Sequence, residues 1–512
     1  MPFIDPFLAR AVEILKPEVP ISSLFVTVDR AGQTRVREIE SLGAFATYSG
    51  KFLPQVHADV PASVLPALVR SGAVREAWYD APHYAFAAPR NPLRSSSAEI
   101  QARLDARTRR IGPTHLPSDP GGGSHLRSYL GAMGPLSVPH ESLAIGLDDV
   151  RKHVRADEAN ARGATGKGVL VAVLDTGADG THPMLEGKIR KHLSMVQEES
   201  GRDGNGHGSW CCSCIAGIEV EYQGKVEQLR GRVLSGMAPE AELLDVKVLT
   251  SEGAGSTSGV IQGIEAAVEE GADILSMSLG SLLGQAGLGP DAQAVNEAVR
   301  RGKIVVAAAG NAFGYGTVGS PASAAGAVAV ASVAHATPVH DAVSTFSSKG
   351  PLSNGKIKPD IAGVGGQLVP GGGAGNEVIL GATAGVMATE SGEPYALLRG
   401  SSMSTPSVAG IIATALPFGF PAERGAIEAL MARSTASRLG LFPVKNNRVG
   451  WGVLDAVSVL DALKSPARLP VRGLVSLQAM RKRRLFGFLS SKLSGLTVRE
   501  SSVPQDFRLA LT

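Results

Sequence analysis

Mostly apolar residues form short runs in the second part of the chain, and these runs predict buried β-strands. They cover residues 169–174, 243–249, 274–279, 304–309 and 327–333. A strand that is apolar on both faces is typical of a parallel sheet covered on both sides. Residues 258–270 and 290–301 have the spacing of amphipathic helices. Alternating strands and helices predict an α/β domain with a mostly parallel sheet over residues 141–464.

Residues 1–90 have a different pattern, which predicts a small α+β unit. Strands are predicted at 24–28, 56–60 and 74–79, where apolar residues cluster or alternate. Helices are predicted at 36–42 and 62–71, and Gly72 is placed to end the second helix.

Two segments have the composition of solvated chain. Residues 91–140 contain serine and glycine runs and scattered arginines, which predicts a linker open to proteolysis. Residues 465–512 contain a run of Arg and Lys at 481–484, followed by an apolar stretch at 485–489. A solvated basic tail is one interpretation, and contact of an amphipathic helix with a membrane surface is the other.

Composition and charge disfavour several classes of protein. Lys and Arg number 50 against 47 Asp and Glu, and this net charge of +3 does not predict binding to nucleic acid. No apolar stretch reaches about eighteen residues, which disfavours a transmembrane helix. The N-terminus lacks a basic region followed by an apolar core, so we predict no secretory signal peptide and favour a cytoplasmic location. The three cysteines lie within residues 211–214 and cannot form a disulfide framework.

Three short motifs carry residues suited to nucleophilic catalysis. Asp175 follows the run 169–174, at the carboxyl end of a predicted parallel strand, where α/β proteins place catalytic groups. His207 is flanked by glycines, in GNGHGS, at the predicted start of a helix. Ser402 lies in GSSMSTP and opens a helix, with Pro406 expected within its first turn. Each motif alone is weak evidence, because an Asp after a strand is commonly a turn residue.

The order Asp, His, Ser is one of the known orders of a catalytic triad. In that interpretation Ser402 attacks a carbonyl carbon, His207 accepts and returns the proton, and Asp175 orients the imidazole and stabilises its cation. Asn311 ends another predicted strand, in AAAGN. Its amide is placed to stabilise an oxyanion together with the backbone N–H of Ser402.

Over residues 141–463 the chain resembles the subtilase family of serine peptidases. The resemblance is carried by LDTG at Asp175, GHGS at His207, AAAGN at Asn311 and GSSMSTP at Ser402. It implies a subtilisin-like three-layer α/β/α fold with a mostly parallel sheet, preceded by a small α+β ferredoxin-like prodomain. Residues 21–80 are similar to that prodomain, which in the family assists folding and then inhibits the enzyme.

The resemblance also implies a domain order and a mode of activation. The expected protein is a serine endopeptidase made as a self-processing zymogen. Its expected parts are a prodomain at 1–90, a linker with the maturation cut at 91–140, a catalytic domain at 141–464 and a basic tail at 465–512. A prodomain is typical of exported family members, which conflicts with the absence of a predicted signal peptide.

A cleft for an extended peptide is a further implication of the resemblance. Ser278, Leu279 and Gly280 on one side, and Gly253 and Gly255 on the other, would flank the substrate through backbone pairing. The implied partners are peptide or protein substrates and the chain's own prodomain. No cofactor is expected to be required. Structural calcium is compatible with the family, but no calcium ligands are recognisable, and no metal site is predicted.

The cysteine cluster has two interpretations. Cys211 lies four residues after His207, and Cys214 lies three further on, which is metal-ligand spacing on one face of a helix. Small thiols packed in the core are the simpler interpretation, and the role of Cys211, Cys212 and Cys214 stays open.

Two other functions are compatible with the motifs. One is a catalytically silent module that holds peptides in the same cleft, and the other is a peptide-processing or cyclising subtilase. The presence of Asp175, His207, Ser402 and Asn311 together disfavours the silent module, because a binding role does not require all four.

Overall fold

The computed structural model describes residues 3–28, 33–85, 143–196, 202–281, 287–335, 343–369, 375–435, 444–464, 474–475 and 508–510. The predicted linker at 91–140 and nearly all of the predicted tail at 465–512 therefore lie outside the described residues. None of the described helices is long and apolar enough to cross a membrane.

The N-terminal part of the chain folds around a five-stranded sheet with strand order β1-β5-β2-β4-β3. Its elements are β1 (Phe3–Ile4), α1 (Pro6–Ile14), β2 (Pro20–Thr27), α2 (Gln33–Ser41), β3 (Phe45–Ser49), β4 (Gln55–Pro61), α3 (Leu65–Arg70), β5 (Val74–Tyr79) and β6 (Pro82–Ala85). The predicted strands at 24–28, 56–60 and 74–79 are confirmed as β2, β4 and β5. The helix predicted at 62–71 is shorter in the structure, where α3 covers Leu65–Arg70. Proline is tolerated in the first turn of a helix, and α3 begins one residue before Pro66.

The second part of the chain contains most of the regular structure. Its first elements are β7 (Leu143–Ile145), α4 (Leu147–His153), α5 (Ala156–Ala161), β8 (Leu170–Asp175), β9 (Ile189–Ser194), α6 (His207–Ala216), β10 (Val220–Glu221), β11 (Val233–Leu234), β12 (Glu242–Lys247), β13 (Ala254–Ser256), α7 (Thr257–Glu269), β14 (Ile274–Met277) and β15 (Leu279–Gly280). They are followed by α8 (Pro290–Arg300), β16 (Ile304–Ala308), β17 (Val328–Val333), β18 (Ile361–Val364), β19 (Glu377–Ala382), α9 (Gly385–Ser391), β20 (Tyr395–Leu398), α10 (Ser401–Ala415), α11 (Arg424–Thr435), β21 (Val444–Lys445), α12 (Ala456–Lys464), β22 (Leu474–Val475) and β23 (Arg508–Ala510). Short 3-10 helices lie at Glu227–Leu229 and Leu416–Phe418.

A seven-stranded sheet with the order β18-β17-β16-β14-β8-β12-β9 lies at the centre of this part. Its strand pairs are parallel throughout. Each face of the sheet packs in a separate core. Val171 and Val173 of β8 pack in the core that contains α6 and α10, whereas Ala172 and Leu174 pack in the core that contains α7 and α8. This double burial explains why the strand runs are mostly apolar on both faces, and it confirms the predicted three-layer α/β/α fold.

The carboxyl ends of the central strands lie along one edge of the sheet. β8 ends at Asp175, and the neighbouring strand β14 ends at Met277. The single strand predicted at 274–279 is therefore wrong. The chain leaves the parallel sheet at Ser278, and Leu279 and Gly280 form β15, which pairs antiparallel with β6.

The N-terminal sheet is held against helix α7 by buried polar contacts. The carboxylate of Asp80 accepts hydrogen bonds from the backbone N–H and the hydroxyl of Ser258, both at 2.9 Å. The carboxylate of Glu265 accepts the backbone N–H groups of Lys51 at 3.0 Å and Phe52 at 3.1 Å. Asp80 thus satisfies an N–H in the first turn of α7 that has no acceptor within the helix.

Candidate active site

Asp175 and His207 form a buried hydrogen-bonded pair at the end of β8. Nδ1 of His207 lies 2.7 Å from Oδ1 of Asp175, and neither residue is exposed to solvent. The same carboxylate oxygen accepts the backbone N–H of Thr176 at 2.8 Å. A carboxylate at Nδ1 holds the proton on that nitrogen, which leaves Nε2 as the basic nitrogen of a neutral imidazole.

The loop before His207 is organised by Asp203, a residue without a predicted role. Its Oδ1 accepts the N–H of Gly206 at 2.7 Å and the hydroxyl of Thr176 at 2.9 Å, and its Oδ2 accepts the N–H of Ser209 at 2.8 Å. This carboxylate joins the two catalytic motifs and satisfies N–H groups at the start of α6, where negative charge is favourable. Asp203 is therefore a positioning residue for His207.

Ser402 is the second residue of α10 and is fully buried. Pro406 is the sixth residue of this helix, so its predicted place in the first turn is wrong. Proline has no N–H to donate to the carbonyl four residues earlier, which here is that of Ser402. That carbonyl instead accepts the hydroxyl of Ser278 at 2.9 Å and lies 3.8 Å from Sγ of Cys211.

The Ser402 hydroxyl is turned away from the imidazole in this structure. It donates to the backbone carbonyl of Ser278 at 2.9 Å, and Nε2 of His207 is buried without a hydrogen-bond partner. The two residues are nonetheless close, because Sγ of Cys211 lies 4.0 Å from Nδ1 of His207 and also contacts Ser402. Catalytic hydrogen bonds commonly tighten only when substrate binds.

Asn311 follows β16 and lies against the start of α10. Its Oδ1 accepts the backbone N–H of Ser401 at 2.9 Å, and it is 6% exposed. The acceptor side of the amide is thereby fixed, so the amide NH2 faces away from Ser401. The N–H of Ser402 is in the first turn of α10, where N–H groups lack intrahelical acceptors.

The three cysteines are buried and reduced on α6. Among the described residues, one group of three side chains is arranged so that it could bind a metal ion. It consists of Asp175, His207 and Cys211, whose ligand atoms lie within 4.8 Å of one another. Burial, and then the charge of Asp175, raise the pKa of the Cys211 thiol well above its ordinary value. The neutral thiol is a poor metal ligand, so the described residues favour the interpretation of core thiols. Cys214, the other cysteine with metal-ligand spacing, does not belong to this group. That the protein requires no cofactor stays a prediction.

A short strand of the chain itself lies beside these residues. β6 pairs antiparallel with β13 on one edge and with β15 on the other. The predicted cleft residues contact it through their backbones: Gly255 pairs with His83, Gly280 with Tyr84 and Leu279 with Ala85, while the carbonyl of Gly253 accepts the N–H of Ala85 at 2.9 Å. Ser278 comes directly before Leu279 in the chain, and its carbonyl accepts the hydroxyl of Ser402 at 2.9 Å. The structure thus brings all nine predicted site residues to one edge of the central sheet.

Lys247 is a second residue that the motifs did not reveal. It ends β12, opposite Asp175 of β8, and is fully buried. Its Nζ donates to the carbonyl of Thr176 at 2.6 Å, which ties down the turn after Asp175. A lysine at the end of an apolar strand run is the available sequence signal, because lysine is rarely buried without a partner.

Comparison with known proteins places the chain among peptidases. Residues 166–452 match the model of the subtilase family. M-protease of Shouchella clausii is 39% identical over 287 residues, which cover 56% of this chain and 63% of that protein. Subtilisin Savinase of Lederbergia lenta is 39% identical over 261 residues, which cover 51% of this chain and 80% of that protein.

Two further comparisons define how far the similarity extends. Serine protease AprX of Bacillus subtilis is 35% identical over 284 residues, covering 52% of this chain and 60% of that protein. The chain thus spans less than two thirds of the length of AprX and of M-protease. The crystal structure of fervidolysin from Fervidobacterium pennivorans, a keratinolytic enzyme related to subtilisin, superposes with a TM-score of 0.59 at 20% identity. That match covers 93% of this chain and 64% of fervidolysin, and it supports the fold alone.

Proposed function

The chain belongs to the subtilase family, and on that premise we propose that it is a serine endopeptidase made as a self-processing zymogen. Asp175, His207 and Ser402 are its triad, and Asn311 is its oxyanion donor. One observation carries the proposal: a strand of the chain is bound on both edges beside Ser402, as an extended peptide substrate would be.

Each catalytic residue has a defined step. The Ser402 hydroxyl leaves the Ser278 carbonyl, gives its proton to Nε2 of His207, and attacks the carbonyl carbon of the substrate. Asp175 stabilises the imidazolium through Nδ1. The amide of Asn311 and the N–H of Ser402 stabilise the oxyanion, and His207 then protonates the leaving amine. Water repeats the sequence on the acyl-enzyme and frees Ser402.

The register of β6 indicates which bond meets Ser402. Ala85 lies opposite Leu279, and the strands are antiparallel. In this register the residue after the one opposite Leu279 comes opposite Ser278, whose carbonyl lies 2.9 Å from the Ser402 hydroxyl. Phe86 follows Ala85 in the sequence and lies outside the described residues. The geometry favours a cut between Phe86 and Ala87, whereas the maturation cut that the sequence predicts within 91–140 stays a prediction.

Mass spectrometry of the purified chain beside Ser402→Ala, after incubation with casein, tests the proposal. We expect the wild-type chain alone to degrade casein and to yield a new N-terminus at Ala87, because both reactions need the Ser402 hydroxyl. If both proteins stay at full length and casein survives, the silent peptide-binding module becomes the better account. Joined or macrocyclic products from tagged peptides would instead favour a cyclising subtilase.

A further inference from the structure

His83 places a polar side chain in a buried pocket beside the cleft. It lies on β6 opposite Gly255 and is 1% exposed. The pocket lies between β13 and the first turn of α8. In the register described above, His83 is the fourth residue before the bond that meets Ser402.

Among the described residues, the carboxylate of Asp291 is the one that faces the imidazole in this pocket. Nε2 of His83 lies 3.1 Å from Oδ2 of Asp291, which is 3% exposed. Nδ1 of His83 lies 3.3 Å from the carbonyl of Ala81 and 3.4 Å from the hydroxyl of Thr257. The other oxygen of Asp291 accepts the N–H of Ala292 at 2.8 Å, which fixes the carboxylate at the start of α8. Asp291 is thus held in place by α8, whereas the side chain that it binds comes from β6.

His83 is the main group that keeps the Asp291 carboxyl charged. Burial raises the pKa of this carboxyl, but the hydrogen bond and charge of His83, together with the Ser320 hydroxyl and the Ala292 N–H, outweigh burial and hold the pKa below its ordinary value. When β6 leaves the cleft, the Asp291 carboxylate loses its charged partner, and a substrate strand that takes the place of β6 buries the carboxylate again. Leaving a buried charge unpaired is costly, whereas an arriving cation with an N–H donor restores the pair. An apolar side chain would bury the carboxylate without a partner.

We propose that this pocket selects peptide substrates that carry a basic side chain at the position of His83, the fourth residue before the cleaved bond. Asp291 is the specificity-determining residue. The inference rests on the proposed endopeptidase function and adds a substrate class to it. Binding energy gained at this distance from the reacting carbonyl can be used in the transition state, so the preference should be visible in kcat/KM.

The test uses the full chain after self-processing and peptides with the sequence of residues 82–89. The peptides differ only at the position of His83, where they carry His, Lys, Gln, Leu or Asp, and kcat/KM is measured at pH 6. For the wild-type enzyme we expect His and Lys to exceed Leu by about tenfold or more, with Asp cleaved slowest, as close charge pairs across interfaces contribute at this level. Asp291→Leu should reverse the order in favour of Leu, and Asp291→Asn should reduce the preference for Lys while keeping the size of the side chain.

The outcomes separate the inference from the function on which it rests. If the wild-type enzyme cleaves the Leu peptide as fast as the His and Lys peptides, the inference is wrong while the endopeptidase function stands. If Asp291→Leu does not fold, the wild-type series and Asp291→Asn still decide between these results. If neither casein nor any peptide is cleaved, the proposed function is itself overturned, and the specificity with it.

Discussion

Replacing Asp175 with asparagine is expected to lower kcat/KM by about four orders of magnitude with a peptide substrate. The carboxylate accepts the Nδ1 proton of His207 at 2.7 Å and holds Nε2 free to accept the proton of Ser402. An amide at this position can present its NH2 to Nδ1, which moves the imidazole proton to Nε2 and removes the base. The substitution preserves the shape of the side chain, so the loss should lie in kcat, measured at substrate concentrations above KM.

Asp179→Asn is the matched control for this variant. Asp179 lies four residues later in the same loop, and its Oδ1 accepts the N–H and the hydroxyl of Thr181 at 3.0 and 2.6 Å. Neither of these hydrogen bonds involves the imidazole of His207, so kcat/KM of Asp179→Asn should stay within a few-fold of the wild-type value. A loss of less than about tenfold in Asp175→Asn would contradict the role assigned to Asp175.

Replacing Asp360 with alanine should destabilise the fold by about 3–5 kcal/mol of unfolding free energy. Oδ1 of this carboxylate lies 2.6 Å from Nη2 of Arg424 and 2.8 Å from Nζ of Lys445, and Oδ2 lies 2.7 Å from Nζ of Lys358. Burial raises the pKa of Asp360, but the three cations outweigh it and hold that pKa well below its ordinary value. Without the carboxylate, three cations are left to repel one another: Lys358 in the segment before β18, Arg424 on α11 and Lys445 on β21.

Asp461→Ala provides the comparison for an exposed ion pair. Asp461 lies 3.1 Å from Arg162, and the two side chains are 58% and 42% exposed. Solvent screens such a pair, so its loss should cost less than about 1 kcal/mol. Urea unfolding followed by circular dichroism measures both variants, and equal losses in the two would show that the buried cluster contributes no more than a surface pair.

Local sequence patterns predicted five of the seven strands of the central sheet and indicated the residues of the proposed active site. The mostly apolar runs predicted β8, β12, β14, β16 and β17, because strands buried on both faces leave a strong apolar signal, whereas β9 and β18 were not predicted. The motifs around Asp175 and His207 indicated which residues pair, because a strand end and a helix start are local features. The break at Ser278 was missed, since an apolar run continues through a residue at which the chain changes sheets.

Contacts between distant parts of the chain could not be predicted in this way. His83 and Asp291 are 208 positions apart, and neither lies in a motif that indicates the other. The place of Pro406 was predicted wrongly for a related reason. Its cost to the helix is offset by hydrogen-bond contacts to the Ser402 carbonyl from Ser278 and Cys211, both remote in sequence. Asp203 was missed because a carboxylate in a glycine-rich loop is typical of any turn.

Labelling with a fluorophosphonate shows directly whether Ser402 is the activated nucleophile, because this reagent bonds phosphorus to an activated serine oxygen and releases fluoride. The wild-type enzyme removes its own N-terminal part, and the same part is removed from His207→Ala with affinity-tagged wild-type enzyme, which is then withdrawn before labelling. The modified peptide is located by mass spectrometry. We expect one label per chain, on Ser402, in the wild-type enzyme, and none in the processed His207→Ala, which lacks the base that activates the hydroxyl. A label on another serine, or equal labelling of Ser402 in His207→Ala, would contradict the proposed triad.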